Sequence, residues 1–76
     1  MSRPLSVIAR DIRKDWRKPF FGAVPYLKAM ESLESIDEKY YQDTAREVVL
    51  YFLSNATSWR GTVAREIKAE LKGMLK

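Results

Sequence analysis

The sequence predicts an all-α fold: a compact four-helix domain with short loops and a central buried helix over about residues 44–54. Three observations predict it. Apolar residues recur at helical spacing in three separate stretches. The fourth and longest apolar run, Val48 to Leu53, is preceded by a helix-start signature and followed by a stop. Two prolines stand where helices begin and a third stands where one ends. With 76 residues the chain forms a single helical domain, 1–76. At this size only about 60% of the unfolded surface is buried on folding, so the core must be well used.

The first helix starts near Pro4, where the missing amide donor costs nothing. Leu5, Ile8, Ile12 and Trp16 fall on one face, with Ala9 beside them. Arg10, Arg13, Lys14 and Arg17 fall on the opposite face. Asp11 and Asp15 stand three residues ahead of Lys14 and Lys18, where they can pair with them. Pro19 ends the helix, because the residue before proline avoids the helical region. Phe20 and Phe21 then read as a core plug, since two adjacent phenylalanines are rarely left in water.

Pro25 opens the second helix. Tyr26, Ala29, Met30 and Leu33 make its buried face, with Lys28 and Glu31 placed to pair outside. Ser35 can cap a short turn through Glu38, and Lys39 to Gln42 reads as an irregular link with Tyr40 or Tyr41 folded inward. The third helix follows from Thr44-Ala-Arg-Glu47, a capping box in which hydroxyl and carboxylate satisfy two backbone donors. Its apolar residues cover most of the circumference, leaving a polar wedge at Glu47 and Ser54, so neighbours must bury it on several sides. Asn55 offers a left-handed stop. Thr57 or Ser58 caps the fourth helix. There Trp59, Val63, Ile67, Leu71 and Leu75 step by four, beside Ala64 and Met74, with Arg65, Lys68, Lys72 and Lys76 opposite.

Function is less plainly written. With no cysteine and no histidine, the chain lacks thiolate and imidazole metal ligands, the commonest general base, and any Ser-His or Cys-His nucleophile. The three glycines form no phosphate-binding loop. The acidic pairs Glu31/Glu34 and Asp37/Glu38 lie on solvent-facing turns. A non-enzymatic protein without metal or cofactor is the expectation. No apolar stretch approaches the roughly 18 residues that span a bilayer, and the N-terminus lacks the apolar core of a secretory signal. A cytosolic protein is expected, and membrane binding is not, because the apolar face of the first helix is needed for the core.

Net charge is +4, unevenly spread. Residues 1–18 hold six bases against two acids, residues 31–47 six acids against two bases, and the last twenty residues five bases against two acids. Two binding faces follow: Arg10, Arg13, Lys14 and Arg17 on the first helix, and Arg60, Arg65, Lys68 and Lys72 on the fourth. The lysine row 68, 72, 76 places like charges four apart, costing about 0.2–0.5 kcal/mol per pair in an isolated helix. Such a row suits an anionic partner such as phosphate backbone, or is solvated surface favoured by the helix dipole. The joint Asn55–Trp59 has the spacing of a helix-turn-helix, whose second helix would present Trp59, Arg60, Thr62 and Arg65 to base edges. Against this, Arg60 can snorkel outward from the apolar side of its helix, Trp59 and Trp16 each belong to an apolar stripe, and Gly61 can serve a close helix crossing.

Several phrases carry a resemblance: Val24 to Met30 (VPYLKAM), the Ser35-Ile36-Asp37 turn with Tyr40-Tyr41, Val48 to Asn55 (VVLYFLSN), Trp59-Arg60-Gly61, and Ala64 to Lys72 (AREIKAELK). Together the chain resembles small, mostly uncharacterised proteins encoded by bacteriophages and prophages of actinobacteria. The resemblance implies a viral accessory role in the cytoplasm of a bacterial host, and supplies no catalytic or binding residues. The function expected is that of a helical interaction module binding a host or phage protein, with self-association as a further option. The alternative is a small basic nucleic-acid-binding protein using the first helix and the start of the fourth.

Overall fold

The computed structural model describes residues 3–76. Its helices are α1 (Leu5–Asp15), α2 (Val24–Glu31), α3 (Ala45–Ser54) and α4 (Thr62–Leu75), with two short antiparallel strands, β1 (Lys39–Tyr40) and β2 (Asp43–Thr44), between α2 and α3. The fold is the compact four-helix domain the periodicity predicts. Leu5, Ile8, Ala9 and Ile12 are fully buried along one stripe of α1, and α2 buries Leu27, Ala29 and Met30. The capping box of α3 forms as read: Glu47 N donates to Thr44 Oγ1 at 3.1 Å and Thr44 N to Glu47 Oε1 at 2.9 Å.

The helices run up and down. Leu5 N donates to Glu34 O at 3.1 Å, tying the start of α1 to the link after α2. Arg46, in the first turn of α3, donates to the Met74 carbonyl at the end of α4 at 3.3 Å. One pole of the molecule therefore gathers the α2–α3 link, and the other gathers the α1–α2 and α3–α4 loops. At the second pole Trp16 stacks on Trp59 (centroids 5.7 Å, planes 10° apart), and Phe52 meets both rings edge-on at 6.3 Å. Trp59 is 2% exposed and its indole N–H donates to Asp15 Oδ2 at 2.8 Å.

Several departures from the sequence reading gather at that cluster. Phe20 and Phe21, expected as a core plug, are instead 44% and 80% exposed. Helix α1 ends at Asp15, four residues ahead of Pro19, with Trp16 as its C-cap. Arg17 thus leaves the helix and sits in the loop. The fourth helix starts at Thr62, not at Trp59, and neither Thr57 nor Ser58 caps it. Trp59 is held inward ahead of the helix by Asp15, and Gly61, at φ 117°, reverses the chain into α4. That is a conformation glycine adopts without steric cost. Asn55 does not enter the left-handed region (φ −104°); its side-chain Nδ2 satisfies the Tyr51 carbonyl at 2.8 Å instead.

Three smaller corrections follow. Val63, placed in the apolar stripe, is 40% exposed. The outer wedge of α3 is wider than Glu47 and Ser54, since Leu50 and Tyr51 also reach solvent. The Lys39–Gln42 link closes as a hairpin around Tyr41 (φ 56°), with Tyr40 packed inward.

Candidate nucleic-acid interface

The loops that meet at the Trp16–Trp59 stack decide where the basic residues lie. Arg17 and Lys18 follow Trp16, and Arg60 follows Trp59, so the stack brings together two stretches read separately in the sequence. Phe20 joins them from the first loop. The backbone at Gly22 lies so close to the Phe20 ring and to Asn55 Oδ1 that an added Cβ would come within 2.6 Å and 2.8 Å of them. Arg65 and Lys68 complete the group from the first turns of α4, around an open groove of about 290 Å³ that Trp59, Arg60, Gly61 and Ala64 also line.

The two loops at this pole contain no acid. Residues 16–23 and 55–61 hold three bases, Arg17, Lys18 and Arg60, and neither Asp nor Glu. The acids bordering it are Asp15, whose carboxylate accepts the Trp59 indole N–H, and exposed Glu66. The signal was legible in the letters once the chain is divided at its loops.

The pairs expected within α1 do not form. Asp11 accepts from Arg3 Nη1 at 2.5 Å instead of pairing with Lys14, and Asp15 is taken by Trp59 instead of Lys18. Glu31 pairs with Arg13, not Lys28. Arg13 therefore leaves the first basic face: its guanidinium bridges α1 to α2, with Nη2 donating to Glu31 Oε1 at 3.3 Å. Arg10 and Lys14 stay exposed beside it, lining the same shallow groove. Among the described residues every acid except Asp43 and Glu66 has a side-chain partner, whereas only Arg3, Arg13, Arg46 and Lys68 do among the bases.

Lys68 is the best-anchored member of the second face. Its Nζ donates to the Trp59 carbonyl at 2.6 Å and stands 5.8 Å from the ring centroid. Burial, with smaller contributions from Lys72 and Arg60, holds its pKa below the ordinary lysine value. Arg60 and Arg65 are exposed at the head of α4, and Lys72 lies exposed in its last turn, away from the pole. The expectation of Trp59 and Arg60 on a recognition helix is corrected: both precede α4, and α3 and α4 lie antiparallel. Trp59 faces the core.

At the other end of α4, Glu70 binds Arg3 bidentately at 2.8 Å and 3.2 Å. That hydrogen bonding lowers the Glu70 pKa and raises that of Arg3. Among the described residues no three His, Cys, Asp or Glu gather as metal ligands, and no helix is long and apolar enough to cross a membrane. A scan of family models and searches of curated proteins and solved structures find no match to this chain.

Proposed function

We propose that this chain is a non-enzymatic accessory protein, of a bacteriophage or prophage kind, that binds the phosphate backbone of a nucleic acid through the basic loops at its Trp16–Trp59 pole in the cytoplasm of a bacterial host. One observation carries the reading: the Trp16–Trp59 stack joins two loops that hold three bases, Arg17, Lys18 and Arg60, and no acid, with Arg65 and Lys68 beside them on α4. Of the nearby acids, Asp11 is paired with Arg3, while Asp15 and Glu66 border the cluster and are outnumbered by Arg17, Lys18, Arg60, Arg65 and Lys68. Uncompensated cations on one face are the electrostatic footprint of polyanion binding. A sequence pI of about 9.6 agrees with it.

The test is a salt titration of binding to arbitrary DNA by fluorescence anisotropy. Each phosphate neutralised contributes about −0.9 (duplex) or about −0.7 (single strand) to the slope of log affinity against log salt. With three to five of these cations engaged, a slope of roughly −2 to −4 is expected. Arg17→Glu with Arg60→Glu should abolish binding and leave the helical spectrum intact. No binding to any nucleic acid at low salt refutes the reading.

A second reading, a module for a host or phage protein or for a second copy of itself, is supported by a different surface. On the flank of α2 and α3, Leu50 and Tyr51 are 51% and 40% exposed, with Tyr26 against Tyr51 at 5.5 Å. Aromatic and aliphatic anchors of this kind are enriched at protein interfaces. Solution mass tests self-association. Loss of one captured host protein on Leu50→Glu, with Arg17→Glu capturing it normally, would favour this reading over the first.

A further inference from the structure

We infer that this basic pole takes a single strand, with Phe20 and Phe21 as the platform on which its bases stack. The inference rests on the nucleic-acid reading above and narrows it. Two phenylalanines stand at the pole, 44% and 80% exposed, in a protein whose small core would profit from burying them. Their rings lie 4.7 Å apart at 52°, so they are not stacked face to face on one another.

The backbone beneath the platform is held in place. The Phe20 carbonyl accepts from Ala23 N at 2.8 Å and the Phe21 carbonyl from Val24 N at 3.3 Å, in the turn that starts α2. Gly22 has no side chain, which lets the Phe20 ring and Asn55 close over the backbone. Arg17 and Lys18 precede the platform across the rigid Pro19. Cations beside fixed aromatic rings are the combination that binds unpaired strands, because phosphates meet the charges while bases meet the rings.

A duplex fits less well. Its bases are already stacked and give nothing to an exposed ring. The pole also offers loops, with α3 and α4 antiparallel behind them, where major-groove reading needs a projecting helix.

The experiment is anisotropy of the full chain with labelled twelve-nucleotide oligothymidine, oligouridine and a twelve-base-pair duplex, across a salt series. Wild type is expected to prefer the single strands by about tenfold or more, since stacking on one ring already supplies roughly that factor. Phe20→Ala with Phe21→Ala should lose about tenfold or more in single-strand affinity, keep the duplex affinity, and keep the salt slope. Both residues are exposed, and circular dichroism confirms folding. If the double variant binds single strands as tightly as wild type, or the duplex binds wild type as tightly as the strands do, the stacking inference is overturned while phosphate binding stands. If no probe binds at low salt, both fall, and an acidic protein partner takes their place.

Discussion

Replacing Asp15 tests the contact that assembles the pole. Asp15 lies at the surface, yet its carboxylate accepts a 2.8 Å hydrogen bond from the indole of Trp59, which is 2% exposed. Asp15→Ala leaves that donor buried without a partner, which costs about 1–3 kcal/mol. A smaller effect opposes it. Asp15 is the last residue of α1, where the helix dipole disfavours negative charge, so removing the carboxylate regains about 0.3–1 kcal/mol. The buried donor wins, and the net loss is about 1–2 kcal/mol. In a domain this small each kcal/mol lowers Tm by roughly 4–8 °C.

Asp15→Asn separates the two effects. The amide oxygen still accepts from the indole, the bond drops to neutral strength, and the dipole penalty disappears, so the variant should melt close to wild type. Thermal unfolding followed by circular dichroism gives the three Tm values, and tryptophan emission reports the Trp16–Trp59 environment. The expected order is wild type and Asp15→Asn together, with Asp15→Ala roughly 4–16 °C below. Asp43→Ala, which removes a carboxylate with no side-chain partner among the described residues, is the control. An Asp15→Ala protein that melts within a degree of wild type, with unchanged emission, refutes the reasoning.

Three further outcomes follow from other contacts. Thr44→Ala removes the hydroxyl that accepts from Glu47 N, and urea titration should show a loss of about 1 kcal/mol. Gly61→Ala forces a side chain into φ 117° and should cost about 1–2 kcal/mol, whereas Gly73→Ala, in open space within α4, should stabilise by about 0.5–1 kcal/mol. Their opposite signs in one denaturation series are the check. Glu70 has a folded pKa below its ordinary value of 4.5 because Arg3 hydrogen-bonds its charged form. A carboxyl lowered in the folded state contributes stability above its unfolded pKa and loses it as pH falls through the folded value. Stability should therefore decline below about pH 4.5, and Glu70→Gln should flatten that decline.

Much of the fold was readable because its determinants are local. The Leu5, Ile8, Ile12 stripe, Pro25 near the head of the second helix and the Thr44–Glu47 box each lie within a few turns of one another. What escaped reading depends on partners far apart in the chain. Asp15 and Trp59 are 44 residues apart. Nothing near either one says that the aspartate will prefer the indole to Lys18, or that the tryptophan will stop short of the helix it seemed to begin. For the site, the residue types were legible and their grouping was not. Arg60 and Arg65 were named together with Lys72, which lies far down the helix, and Arg17 with Arg13, which an acid from α2 claims.

The arrangement also separates what holds the molecule together from what it can offer a partner. Burial falls on apolar residues alone, and no buried side-chain polar atom lacks a partner among the described residues. The ion pairs that join elements use Arg3, Arg13 and Arg46, none of which lines the groove at Trp59. Arg17, Lys18, Arg60 and Arg65 make no comparable contact, so they add mutual repulsion without adding cohesion. The acids around the hairpin cannot relieve it. The molecule is 29 Å long, and charges that far apart are screened beyond about 8 Å at physiological salt. Helix dipoles cannot relieve it either, because two helices end and two begin at the same pole. Lys68 is the exception that marks the boundary, bonded to the Trp59 carbonyl yet still facing the groove. A cluster of like charge that stands apart from the contacts of the fold is the surface that the proposed polyanion would engage.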